Sequence, residues 1–148
     1  NSERYPELPA IKFQHKTYTF KEFISSVEKL ATSLNEIGIK KGDIVSIISP
    51  NTPQAVFMFY AVNRIGAVAN MIHPLLAQEE IQYYVENTES AAVYILDAVY
   101  DKISGIKWNT AKQPKIIIGK VADALPGWMK PLYALKNRKK LGCCQQHK

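Results

Sequence analysis

The sequence predicts an α/β protein in which a partial parallel sheet is flanked by helices. Two patterns point there. Short, β-branched apolar runs alternate with longer stretches of helical spacing, the order that parallel α/β structure requires. The run Ile44-Val45-Ser46-Ile47-Ile48 is apolar on both faces of a strand, as expected where helices cover a sheet on both sides. A chain of 148 residues with 47% apolar content is long enough to bury one core.

The elements follow in order. Ile11–Phe13 and Thr17–Tyr18 flank Gln14-His15-Lys16 as a small hairpin. Thr19-Phe20-Lys21-Glu22 reads as a capping box, in which the threonine hydroxyl accepts from the Glu22 amide and the carboxylate reaches back. The helix it opens has a buried stripe of Phe20, Phe23, Ile24, Val27, Leu30, Ala31, Leu34 and Ile37, and Gly38 supplies the left-handed residue at its end. After the turn Lys40-Lys41-Gly42-Asp43 comes the strand 44–48. Asn51 or Thr52 then caps a second helix, roughly Pro53 to Ile65, with proline at its first position and Gly66 at its end. That helix is apolar nearly all round, which predicts a sandwiched position. Val68–Ile72 reads as a second strand, Gln78–Asn87 as a helix, Ala92–Leu96 as a third strand, Asp97–Ile106 as helical or irregular, and Lys115–Ile118 as a fourth strand. The chain divides into an α/β body, residues 1–122, and residues 123–148, read as a basic amphipathic segment with a disordered tail.

The net charge of +6 is uneven. Residues 1–129 hold 13 Lys or Arg and 13 acids, whereas residues 130–148 hold the other six basic residues and no acid. A nucleic-acid-binding domain shows its basic face within the folded part, so no nucleic-acid partner is expected. The best apolar stretch, 44–62, is broken by Ser49-Pro50-Asn51-Thr52-Pro53-Gln54, so no membrane span is expected. The chain opens on Asn1, and its first residues contain no apolar core of a secretory signal. Cys143 and Cys144 are adjacent, a spacing unsuited to a relaxed disulfide within one chain. The expected compartment is the cytoplasm.

Four strings carry a family resemblance. Tyr5-Pro6 through Pro9-Ala10-Ile11 resembles a P-x-x-P-A opening, and Tyr18-Thr19-Phe20-Lys21-Glu22-Phe23 a first core motif of the form L-T-Y-x-E-L. Gly38 through Val45 is similar to a G-v-x-x-G-D-x-V strand lead-in, followed in place by Asn51-Thr52-Pro53. Ala61 through Val68, running on to His73-Pro74, looks like a second core motif. In series over residues 5–120 these strings resemble the acyl-adenylate-forming enzymes: acyl-CoA synthetases, firefly luciferase and peptide-synthetase adenylation domains. Residues 70–74 look closer to the acyl-CoA synthetases. The resemblance implies the N-terminal part of that fold, and a parent that uses ATP, Mg²⁺ and CoA to turn a carboxylate into an acyl-adenylate and then a thioester.

The resemblance also implies parts that this chain lacks. The family supplies a Ser/Thr/Gly-rich phosphate loop, a glutamate near the metal, an aspartate on the ribose and a lysine in a mobile C-terminal domain, and no matching motif is present here. Glycines 38, 42, 66, 105, 119, 127 and 142 are never closer than four apart, so no phosphate-cradling loop can be built from them. No catalytic, cofactor-binding or metal residue is therefore assigned, and no cofactor is expected in this chain itself. Ser26-Val27-Glu28-Lys29 and Ser104-Gly105-Ile106-Lys107 match S-x-x-K without companion motifs. His15, His73 and His147 are too scattered for zinc. Asn51 and His73 follow strands, where open sheets gather ligands. The plainer roles are a helix cap for Asn51 and a partly buried turn residue for His73.

The expected function is that of an N-terminal scaffold, inactive in isolation. Its partners are the remainder of the parent enzyme and, through an uncovered apolar face, other copies of itself. The alternative is a stand-alone binding module whose tail, Lys130 to Lys148, contacts an anionic membrane or nucleic acid in a salt-dependent way. A truncated gene product without function is the third reading, because Leu141–His147 departs from the family pattern.

Overall fold

The computed structural model describes residues 3–120. The expected basic segment and tail, and the boundary after residue 122, lie outside the described residues.

Strands β1 (Pro9–Phe13) and β2 (Lys16–Thr19) form an antiparallel hairpin, turning at Gln14 with φ +52°. Helix α1 (Phe20–Glu36) starts where the capping box requires. The Glu22 amide donates to Thr19 Oγ1 at 3.2 Å, and the Thr19 amide donates to the Glu22 carboxylate at 2.9 Å. The helix buries Val27, Ala31 and Leu34, while Phe20, Phe23, Ile24 and Leu30 are half-buried and Ile37 stays exposed. The expected stripe is thus right in direction and wider than the surface that covers it.

Four strands make the main sheet: β3 (Ile44–Ile48), β4 (Val68–Ile72), β5 (Ala92–Leu96) and β6 (Lys115–Gly119). Their order is β4-β3-β5-β6 and every pairing is parallel. Helix α2 (Pro53–Arg64) links β3 to β4, and α3 (Gln78–Asn87) links β4 to β5. A 3₁₀ turn, Asp97–Lys102, occupies the front of the stretch expected as helical or irregular. At the end of β6, Gly119 is required by a close approach: a Cβ there would collide with the phenol of Tyr94.

Alternation along the strands splits the interior into two clusters. Val45, Ile47, Tyr94 and Leu96 pack with α1 and α2, and Ile48, Val93 and Ile95 pack with α3 and Ile103. β5 is buried at all five positions, which accounts for its unbroken apolar run. The two faces differ in cover. Helix α2 packs inward through Ala55, Phe57, Met58, Ala61 and Val62, but Val56, Phe59 and Tyr60 are 37%, 38% and 50% exposed. The sandwich expected around α2 is half built among the described residues. Both outer strands also show apolar side chains, Val68 and Met71 on β4 and Ile116 and Ile118 on β6.

Candidate functional site

In an open parallel sheet, ligands gather beyond the carboxyl ends of the strands, beside the point where the strand order reverses. Here the chain moves from β3 outward to β4 and then back across β3 to β5. The reversal therefore lies between β3 and β5, flanked by Ser49-Pro50-Asn51 on one side and Asp97 on the other.

The β3 side of this crevice is occupied by local hydrogen bonds. Thr52, in extended conformation, caps α2 by accepting from the Ala55 amide at 3.4 Å, and Pro53 follows at the first helical position. Ser49 is buried, and its hydroxyl donates to the Pro50 carbonyl at 2.9 Å and lies 3.4 Å from Thr52 Oγ1. Asn51 is exposed, one residue ahead of the cap. Of the two capping residues the sequence allowed, the structure uses Thr52. One strand further out, His73 is exposed rather than partly buried, and the residue fixed in the interior is Pro74. His73 Nδ1 accepts from the Leu75 amide at 3.2 Å, which places the ring proton of a neutral imidazole on Nε2.

This rim offers hydroxyl, amide and imidazole groups. A magnesium-bound triphosphate needs converging backbone amides, usually from glycine-rich turns, and cationic side chains. The glycines with positive φ, Gly38 (+84°), Gly42 (+88°) and Gly66 (+75°), all precede strands, so they line the opposite, amino rim. The residues of the described carboxyl rim do not fit a magnesium triphosphate. Among the described residues, no group of three or more His, Cys, Asp or Glu could hold a metal ion. The two S-x-x-K serines are tied into their own elements. Ser26 Oγ donates to the Glu22 carbonyl inside α1 at 2.8 Å, and Ser104 Oγ donates to the Asp101 carbonyl at 3.3 Å.

Sequence reading missed two polar arrangements. Ser46 and Ser90, both buried, share a hydrogen bond of 2.7 Å, and Asn70 Nδ2 donates to Ser46 Oγ at 3.0 Å. Thr88 Oγ1 lies 2.8 Å from Ser90 Oγ and donates to the Tyr84 carbonyl at 2.9 Å. This chain of hydroxyls ties the end of α3 to β3 and β4 beneath the sheet surface. Its one sequence signal is a serine in the middle of an otherwise apolar strand. The second arrangement is a clamp on α3. Glu86 accepts from the Asn109 amide at 2.7 Å and from Gln82 Nε2 at 2.7 Å, and these bonds hold its carboxyl below the ordinary value of 4.5.

The family model described as AMP-binding enzyme matches residues 1–140. The long-chain-fatty-acid–CoA ligase of Bacillus subtilis (strain 168) is 32% identical over 142 residues, covering 95% of this chain and 25% of that protein. Among solved structures, an anthranilate CoA ligase, AuaEII, in complex with anthranoyl-AMP superposes with a TM-score of 0.74 at 18% identity, over 86% of this chain and 25% of that one. A long-chain-fatty-acid–CoA ligase from Archaeoglobus fulgidus gives 0.71 at 21% identity, over 80% and 25%. At such identities these two likenesses speak for the fold alone. The chain spans about a quarter of the length of each of these proteins.

Proposed function

Because the chain belongs to the AMP-binding enzyme family and spans a quarter of its relatives' length, we propose that it is the N-terminal scaffold of an ATP-dependent acyl-CoA synthetase. The parent reaction joins a carboxylate to the α-phosphate of ATP with release of pyrophosphate. The thiol of CoA then attacks the acyl-adenylate and AMP leaves. In this reading the chain supplies part of the parallel sheet, with no catalytic or nucleotide-binding residue of its own, and the remainder of the parent brings the phosphate loop, the metal ligands and the CoA site.

The observation that carries the proposal is the position of the glycines. Among the described residues, those in left-handed conformation sit at the amino rim, where they turn the chain into its strands, and none lies at the carboxyl rim. The remainder of the parent is the partner this architecture suits, since the outer face of α2 and the side chains of β4 and β6 expose Phe59, Tyr60, Met71 and Ile118. No helix among the described residues is long and apolar enough to cross a membrane.

Isothermal calorimetry with ATP and Mg²⁺ on the 148-residue chain tests the reading. No binding heat is expected even at millimolar nucleotide. Affinity in the micromolar range would show that the chain carries a nucleotide site and that the scaffold reading is wrong.

A further inference from the structure

An apolar groove of about 530 Å³ opens beside β6, on the α1 and α2 side of the sheet. Its walls are Leu30 and Leu34 of α1, the C-cap residue Ile37, Met58 of α2 and Ile117 of β6. The volume falls in the range of roughly 300–1,000 Å³ that small-molecule sites occupy. Leu30 to Ile37 spans two turns of helix, about 10 Å at 1.5 Å per residue.

Two polar groups border this apolar space. Lys115, the one charged residue of the described lining, comes from the start of β6, and its ammonium donates to the Ile37 carbonyl at the end of α1. Helix α1 has no basic residue in its last turn, so Lys115 supplies the positive charge that a helix C-terminus favours. Gly38 leaves room for it, since a Cβ there would stand 3.3 Å from Lys115 Nζ. An ammonium has three hydrogens to donate. Among the described residues the Ile37 carbonyl is its one acceptor, and no carboxylate pairs with it. The second group is Ser33, one turn before Ile37. Ser26 and Thr32 on the same helix donate to the carbonyl four residues back, at 2.8 and 3.0 Å, whereas the exposed Ser33 hydroxyl has no such bond.

An apolar space with an unneutralised ammonium at its Ile37 end matches a molecule that has an apolar body and one anionic end. We infer that the groove binds an aliphatic monocarboxylate of medium length, its chain along Leu30, Leu34, Met58 and Ile117 and its carboxylate on Lys115 Nζ and Ser33 Oγ. A polyphosphate is a poor match, because a single cation faces the groove and most of the lining is hydrocarbon. Lys115 keeps its bond to the Ile37 carbonyl while it donates to the ligand, so β6 and α1 stay in place. The inference rests on this groove alone, and its failure leaves the scaffold reading as it stands.

The test uses the full chain, labelled at its methionine methyls and titrated with sodium decanoate below the micelle concentration. The Met58 methyl resonance is expected to shift and saturate, while that of Met71, on the exposed β4 edge, stays in place. 1-Decanol has the same chain and no charge, and it is expected to bind about tenfold more weakly, the loss of one charge-assisted hydrogen bond. Lys115→Met keeps the stem and removes the charge, and it is expected to weaken decanoate by a similar factor, while Lys115→Arg restores most of the affinity. Circular dichroism establishes that each variant is folded, and the decanol comparison needs no variant at all. Equal affinity for decanol and decanoate overturns the inference, as does a folded Lys115→Met chain that binds decanoate undiminished. Met71 shifting in parallel with Met58 also overturns it, in favour of a detergent spread over the open faces. A Met58 resonance that follows protein concentration and ignores decanoate overturns it too, and assigns the groove to a second copy.

Discussion

At the scale of single residues, Glu86 shows how little side chain is needed to hold a long connection in place. One half-buried carboxylate fastens the loop at Asn109 to α3 through a backbone amide and steadies Gln82, whose Nε2 also donates to the Lys107 carbonyl at 3.1 Å. Its pKa is lower folded than unfolded, first because of the Asn109 amide and then because of Gln82. The stabilisation is therefore complete above the unfolded value and lost as pH falls through the depressed folded one. Glu86→Gln keeps the shape and removes the charge. It is expected to lower the thermal midpoint modestly at neutral pH and to narrow the gap between neutral and acidic midpoints; an unchanged gap would show that another group governs the acid loss. Such a clamp is illegible in sequence because its partners are 23 residues apart and one of them is a backbone N–H. The Ser46–Ser90 contact, across 44 residues, is hidden in the same way. Thr19, Thr52 and Gly38 were legible because the groups they serve lie within a few residues of them.

Whole elements were read more securely than their surroundings. Helix α1 announces itself through the Thr19–Glu22 box, and removing the Thr19 hydroxyl leaves the Glu22 amide without its acceptor. Thr19→Ala is expected to cost about 1 kcal/mol, read as a lower urea midpoint with an unchanged slope. A loss near zero would mean that water replaces the cap. Helix α3 opens in a related way: the Ala77 amide donates to the Glu80 carboxylate at 2.9 Å, although alanine offers no side-chain acceptor in return. Helix α2 is the instructive miss. Its all-round apolar pattern marks it as a helix, but the cover it predicts is found on one side only among the described residues, with Val56, Phe59 and Tyr60 exposed on the other. Phe59 and Tyr60 pack edge to face with centroids 5.5 Å apart, and Tyr60 meets Phe23 at 5.2 Å, so the outer side is an ordered aromatic surface, not a frayed one. The strands were legible nearly to the residue because β3 and β5 are covered on both faces, which selects runs that are apolar but for Ser46.

For the molecule as a whole, the sheet has a finished middle and two unfinished sides. β3 and β5 each have a neighbour on both sides, whereas β4 and β6 present an open edge among the described residues. Open edges with apolar side chains pair with whatever strand or surface arrives. The isolated chain is expected to self-associate, seen by analytical ultracentrifugation as a weight-average mass that climbs with concentration; a constant monomer mass would refute this. Met71→Lys on the exposed β4 edge should reduce the climb without altering the circular dichroism. The parallel order was visible in the sequence, but the return of β5 across β3 was not, because no local pattern records which side of a strand its next neighbour takes.

The glycines of positive φ have one more implication. Gly38, Gly42 and Gly66 gather at one rim, where the backbone itself dictates the residue, while at the opposite rim a described glycine, Gly119, is required by close packing and not by its backbone angle. The scaffold thus separates what heredity must keep from what it is free to try. Drift along the first rim breaks the protein, and drift along the second, outside Gly119 and the Thr52-Pro53 cap, leaves it standing with a new face.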